Sequence, residues 1–270
     1  GAVPSGQGPS LKNRDSPYFF MLQDTHIHIQ DLKPESLIPP FLSFLRSSGP
    51  VRFFNCAITP ADWSRVLFLA GSDPHIVPFL GIHPWFSDSV SDQDWEALER
   101  HLSSSSRIFC GEMGLDKSRK NIGMDVQKEV FVRQIRLAKK YDRPFAVHCV
   151  RAWSDVIPLI REHASGVRFL MHCFQGSREI AEEVLGMGGF LSLSVRDFLK
   201  GEAGFRDLVR GVPLEKVLIE TDFPYQVKPG SPGDYGESLR RGYEVLAGWR
   251  GLSFEDTLAE IIKNGSVFTD

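Results

Sequence analysis

Short runs of apolar, β-branched and aromatic residues alternate with longer stretches of helical periodicity along most of the chain. The strand-like runs fall at Tyr18–His28, Val51–Ile58, Ile76–Ile82, Arg107–Met113, Phe145–His148, Arg168–His172, Gly189–Ser194 and Val217–Thr221. Between them lie amphipathic stretches at Ser91–Leu102, Asp125–Tyr141 and Ser177–Leu185; in the second, Val126, Val130, Phe131, Ile135 and Ala138 recur at helical spacing. Asp92 and Ser177 are placed to cap helix starts, and Gly188 and Gly211 to stop helices. Strand and helix alternating eight times is the (β/α)8 pattern, an α/β TIM barrel in a single domain. Two further helical stretches, Glu237–Trp249 and Phe254–Lys263, are separated by Gly251 and are expected to pack on the outside of the barrel. The Pro- and Gly-rich run from Phe223 to Asp234 reads as a loop above the barrel's C-terminal face.

The ends of these strands carry residues that bind divalent metals. His26 and His28 stand two apart, and in a regular strand Asp24, His26 and His28 share one face. Glu112, His148, His172 and Asp222 each close a later apolar run. A lone His-x-His is usually two satisfied histidines. Ionisable groups capping five separate strands would be costly to bury without a shared partner, and imidazole with carboxylate is a donor set for a metal ion. In a (β/α)8 barrel those strand ends form the functional face.

Composition narrows the class. The 270 residues are 42% hydrophobic and 24% charged, enough for one large core. A net charge of −3 argues against a protein that grips nucleic acid through a globally basic surface. The four cysteines lack CxxC spacing, so a reducing, cytoplasmic setting is expected. Cys149 and Cys173, each following a candidate ligand, should face away from it into the strand–helix layer. Residues 1–17 read as a flexible tail or a remnant of expression, leaving 18–270 for the barrel, and no apolar run is long enough for a membrane span.

Six blocks occur in order: Asp24-Thr25-His26-Ile27-His28, Gly81-Ile82-His83-Pro84, Gly111-Glu112-Met113-Gly114-Leu115-Asp116, Pro144 to His148, His172-Cys173-Phe174-Gln175-Gly176, and Glu220-Thr221-Asp222-Phe223-Pro224-Tyr225. Together with Asn264 and Phe268 they resemble the signature blocks of the TatD-related deoxyribonuclease family, among the amidohydrolase-like metal-dependent hydrolases. The resemblance runs from Gln23 to about Phe268. It implies a TIM barrel that hydrolyses phosphodiester bonds in DNA with two divalent metal ions (Mg2+, Mn2+ or Zn2+), removing nucleotides from the 3′ end. His26, His28 and Asp222 would hold one ion, His148 and His172 the other, and Glu112 would bridge them. His83 resembles the family's phosphate-contacting histidine, neutral or cationic. Asp222 and Glu112 would be the catalytic carboxylates.

Beside the resemblance stand further expectations. Glu220 shares strand parity with Asp222 and should orient a ligand. Asp116 is either loop-forming or a pocket partner. His75, His101 and His163 read as surface histidines. Trp85 and Phe86 are placed either to stack on bases or to anchor the packing of their loop, and Tyr225 to stack on bases. Three departures from the family pattern touch nucleic-acid contacts: Trp85 stands where the family often has a histidine after His83-Pro84, Arg151 sits one place late after strand five, and Gln226–Glu237 lacks a basic segment. The expected partner is therefore DNA at single-stranded or frayed 3′ ends, bound weakly; a monomer is compatible with the sequence. Two other classes fit the same scaffold: hydrolysis of a small ester, lactone, amide or phosphoester, and a non-catalytic metal-bound binding scaffold.

Overall fold

In the computed structural model, residues 22–47, 51–226 and 232–269 are described. The expected tail at 1–17 and the Tyr18–Met21 part of the first strand lie outside them. Eight parallel strands follow one another round a single sheet: β1 (Asp24–Ile27), β2 (Phe53–Cys56), β3 (Ile76–Leu80), β4 (Phe109–Asp116), β5 (Phe145–Val150), β6 (Phe169–Met171), β7 (Phe190–Ser194) and β8 (Val217–Glu220). The ring closes between β8 and β1, where His28 N donates to Phe223 O and Asp222 N to His26 O. All eight expected strands are present with shifted bounds. β4 runs on to Asp116, three residues beyond its expected end.

Helices link the strands on the outside: α1 (Ile38–Arg46), α2 (Trp63–Ser72), α3 (Asp92–Ser104), α4 (Met124–Lys140), α5 (Trp153–His163), α6 (Arg178–Gly186), α7 (Val195–Lys200) and α8 (Ala203–Gly211). The cap of α3 is Ser91 rather than Asp92, because Ser91 Oγ accepts from Asp94 N while Asp94 Oδ2 accepts from Ser91 N, a reciprocal capping box. Ser177 caps α6 as expected. The terminal helices are longer than the sequence pattern suggested. α9 (Pro232–Arg250) begins five residues before Glu237, inside the run read as loop, since Pro232 stands at a helix start where its missing N–H costs nothing. α10 (Phe254–Thr269) continues past Lys263.

Two apolar layers result. One lies between strands and helices; the other fills the barrel with Phe54, Val77, Phe79, Phe109, Leu170, Phe190 and Leu218, and Phe268 at the end of α10 closes it from below against Phe54 and Phe190. This plug leaves the opposite, C-terminal mouth to polar side chains.

Two glycines let backbones meet at that mouth. A Cβ on Gly81 would lie 2.5 Å from the carbonyl carbon of Gly111, and one on Gly114, at φ +151°, 1.9 Å from His148 O. Only glycine permits β3, β4 and β5 to converge there, which draws Glu112 and His148 together.

Candidate metal centre

All six candidate ligands converge on one cluster, with Glu112 at its middle. Glu112 Oε2 lies 3.2 Å from His26 Nε2 and 3.6 Å from His28 Nε2; Oε1 lies 2.8 Å from His148 Nδ1, 3.7 Å from His172 Nε2 and 3.6 Å from His83 Nε2. Asp222 Oδ1 is 3.3 Å from His28 Nε2. Three overlapping triplets, His26–His28–Glu112, His26–His172–Asp222 and His83–Glu112–His148, each keep one ligand atom per residue within 4.8 Å of the others. Glu112 belongs to two of them.

The donor set fits divalent cations. His26 and His28 bring their Nε2 atoms to 3.1 Å, and His26 stacks on His172 at 3.6 Å between centroids. Several imidazoles gathered around two carboxylates in a buried pocket cannot all carry protons, whereas a cation would satisfy their lone pairs together. His148 Nε2 is buried without a hydrogen-bond partner among the described residues.

Neighbouring groups fix the candidate ligands. His28 Nδ1 lies 2.7 Å from Cys56 O, and His172 Nδ1 lies 2.8 Å from Glu220 Oε1. Glu220 in turn receives the Cys173 amide and the hydroxyl of Ser192, which also pairs with Thr25. Glu220 thus stands beside His172, the candidate ligand it was expected to orient. Asp116 is a pocket partner: its carboxylate accepts from Trp85 Nε1 at 2.6 Å and lies 3.5 Å from His148 Nε2.

Electrostatics follow from this crowding. Burial alone would raise Glu112, but the facing His172, His26 and His83 hold it well below the usual carboxylate range. Burial likewise opposes the shift of Asp222, which His28 and His172 bring below its ordinary value. Burial and the neighbouring His172 lower His26. For His172 burial is outweighed by Glu220 and Glu112, which push it up to about 10. Burial and His148 hold His83 well below its ordinary value, and its Nδ1 accepts from Trp85 N. Both features favour a neutral ring for His83, with the proton on Nε2 facing the cluster.

Three expectations need correction. Asp24 does not share the face of His26 and His28: the β1 register breaks between Asp24 and Ile27, and Asp24 accepts instead from Thr221 Oγ1 and Tyr235 OH. Cys173 does not enter the strand–helix layer, because its φ of +44° past the end of β6 breaks the alternation; its Sγ sits 3.3 Å from Gln226 Nε2 at the rim. The rim is also more basic than the sequence indicated. Arg119, from the loop after β4, lies over Trp85 at 3.7 Å, and Arg196, in the first turn of α7 and paired with Asp197, reaches 3.6 Å from Cys173 Sγ.

The aromatic candidates flank the cluster. Trp85 is 38% and Tyr225 57% exposed, and Tyr225 also meets His28 edge-on at 5.2 Å and donates to Asp31. Phe86 packs against the core, which is the loop-anchor alternative of the two expected for it. Arg151 is exposed in the turn after β5, and part of Gln226–Glu237 lies outside the described residues.

This ordered ligand set on a (β/α)8 barrel agrees with the comparisons. A model of TatD-related DNases matches residues 23–268. The chain belongs to the TatD-related DNase family. Among TatD relatives, it is 27% identical over 247 residues to the uncharacterised metal-dependent hydrolase YabD of Bacillus subtilis, covering 90% of this chain and 97% of that one. It is 31% identical over 194 residues to the 3′-5′ ssDNA/RNA exonuclease TatD of Escherichia fergusonii, covering 68% and 74%. The crystal structure of the TatD homologue YjjV from Escherichia coli superimposes with a TM-score of 0.80 at 23% identity, over 93% of this chain and 98% of that one. The TatD barrel assigned here is thus a metal-dependent hydrolase. Among the described residues no helix is long and apolar enough to cross a membrane.

Proposed function

We propose that this hydrolase cleaves phosphodiester bonds at the 3′ end of DNA, releasing nucleotides one at a time. The observation that carries the reading is Glu112, whose two oxygens face opposite histidine groups, His26 and His28 on one side and His148 and His172 on the other. Such a carboxylate is built to bridge two ions. Bound divalent ions would neutralise the phosphate, acidify a water and stabilise the leaving oxygen.

The chain's own groups supply the rest. Asp222, with Oδ2 fixed by Gln226 Nε2 at 2.9 Å and its side chain still reachable by water, accepts the proton of the attacking water. The neutral His83 donates its Nε2–H to a phosphate oxygen. Trp85 and Tyr225 offer ring faces to unpaired bases, each stack contributing about 1–3 kcal/mol. Arg119 and Arg196 provide the local positive charge that the acidic chain otherwise lacks.

A relative carrying the name 3′-5′ ssDNA/RNA exonuclease supports the direction of attack. The test is an oligonucleotide labelled in turn at each end, incubated with protein and Mg2+, Mn2+ or Zn2+. A 5′-labelled single strand is expected to shorten as a ladder while a 3′ label appears at once as mononucleotide. Fragments cut only from the interior, or hydrolysis of small esters without any of DNA, would overturn the proposal.

A further inference from the structure

Basic residues stand at the start of most strands: Arg52, His75 and Arg168 immediately before β2, β3 and β6, and Arg107 and Arg143 two residues before β4 and β5. In a parallel barrel these positions all lie at the N-terminal mouth, the end opposite the metal centre. Those five side chains line one cavity of about 620 Å³, with Val77, Phe109 and Phe268 among the apolar groups of its wall.

The charge there is largely uncompensated among the described residues. Among the described residues none of the four arginines is in an ion pair, and Asp142 is the one carboxylate in the lining; His75 is held by Asp73 at 2.8 Å. Their side-chain bonds among the described residues go to backbone carbonyls: Arg52 to Val51 O, Arg143 to Leu102 and Asp142 O, and Arg168 to Val267 O. Each guanidinium carries five donors in a planar fork, so most remain available. Asp270, next to Thr269 in the lining, lies outside the described residues. On a chain of net charge −3, four clustered guanidinium groups around an apolar floor need a reason.

We propose that the N-terminal mouth of the barrel binds a phosphorylated small molecule, its phosphates on the arginine ring and its ring portion against Phe109 and Phe268. The volume lies within the range of small-ligand pockets, about 300–1,000 Å³, and matches a nucleotide better than an inorganic ion. Arginine forks match phosphate oxygens in pairs, which gives geometry as well as charge.

Calorimetric titration in excess chelator, which silences phosphate binding through metal ions, tests this with two probes, adenosine 5′-diphosphate and inorganic pyrophosphate. One molecule of the nucleotide per chain is expected to bind, more tightly than pyrophosphate. Arg107→Glu and Arg52→Glu should each weaken binding by about tenfold or more. Arg107 is exposed, so its replacement should leave the melting temperature unchanged, and Asp222→Asn should leave binding unchanged. Absence of saturable binding, or equal binding by the Arg107→Glu and Arg52→Glu variants, would overturn the site. Loss of binding in Asp222→Asn would place the probe at the metal centre instead and also overturn it.

Discussion

Glu112 and Asp222 differ in what their removal should do, although both are buried carboxylates at the same mouth. Glu112→Ala removes the group that links two histidine sets, so metal content and rate should fall together. Asp222→Asn keeps the shape and the contact to Gln226 but loses the proton acceptor. Each is expected to lower kcat at least about a hundredfold, roughly 2.7 kcal/mol. His101→Ala, whose ring only edges Trp63, should leave steady-state rates unchanged. Glu220→Gln should weaken metal binding about 10- to 100-fold with the fold intact, since it acts through His172. His172 also sets the sign of a pH effect. Its value in the metal-free protein is raised to about 10, so at pH 7 the ring is protonated and must lose that proton to bind a metal. Loading should therefore release protons and strengthen as pH rises toward 10; titration in buffers of different ionisation enthalpy measures the release. The convergence of the candidate ligands was legible in the sequence because each sits at the end of an apolar run. Asp24 was not, because a break in β1 register reverses its face and no residue pattern announces that break. Arg119 and Arg196 escaped for a related reason: one reaches the rim from a loop and the other from the first turn of the short α7, where contact depends on the tertiary path rather than on periodicity.

At the scale of elements, the β3–β4–β5 junction is the part that glycine makes possible. Gly114→Ala would push a Cβ into His148 O and force a side chain onto a φ of +151°, so it is expected to cost about 3 kcal/mol or more and to displace His148. Gly123→Ala, with open space around its Cβ, is the matched control. Thermal melts of the two variants should differ by several degrees. All eight strands and the two terminal helices were readable from hydrophobic alternation, yet their ends were not. β4 outran its expected stop because Asp116 and Gly114, polar or small in the sequence, still pair with β5. α9 started early because a Pro- and Gly-containing stretch looks like loop until its neighbours make it a helix.

For the whole molecule, the metal centre occupies one mouth of the barrel and Phe268 plugs the other, so the core does not depend on the ions. The role proposed for the cluster around Glu112 is that of an open catalytic site rather than a structural staple. Protein stripped by chelator, checked by circular dichroism and then titrated with Mn2+ or Zn2+ while hydrolysis of a single-stranded oligonucleotide is followed, addresses that role directly. The folded spectrum should survive stripping and hydrolysis should vanish. Activity should then return as about two equivalents of metal bind per chain, and should fail to return in Glu112→Ala. Undiminished hydrolysis in the stripped protein, or unfolding on removal of the metal, would contradict it.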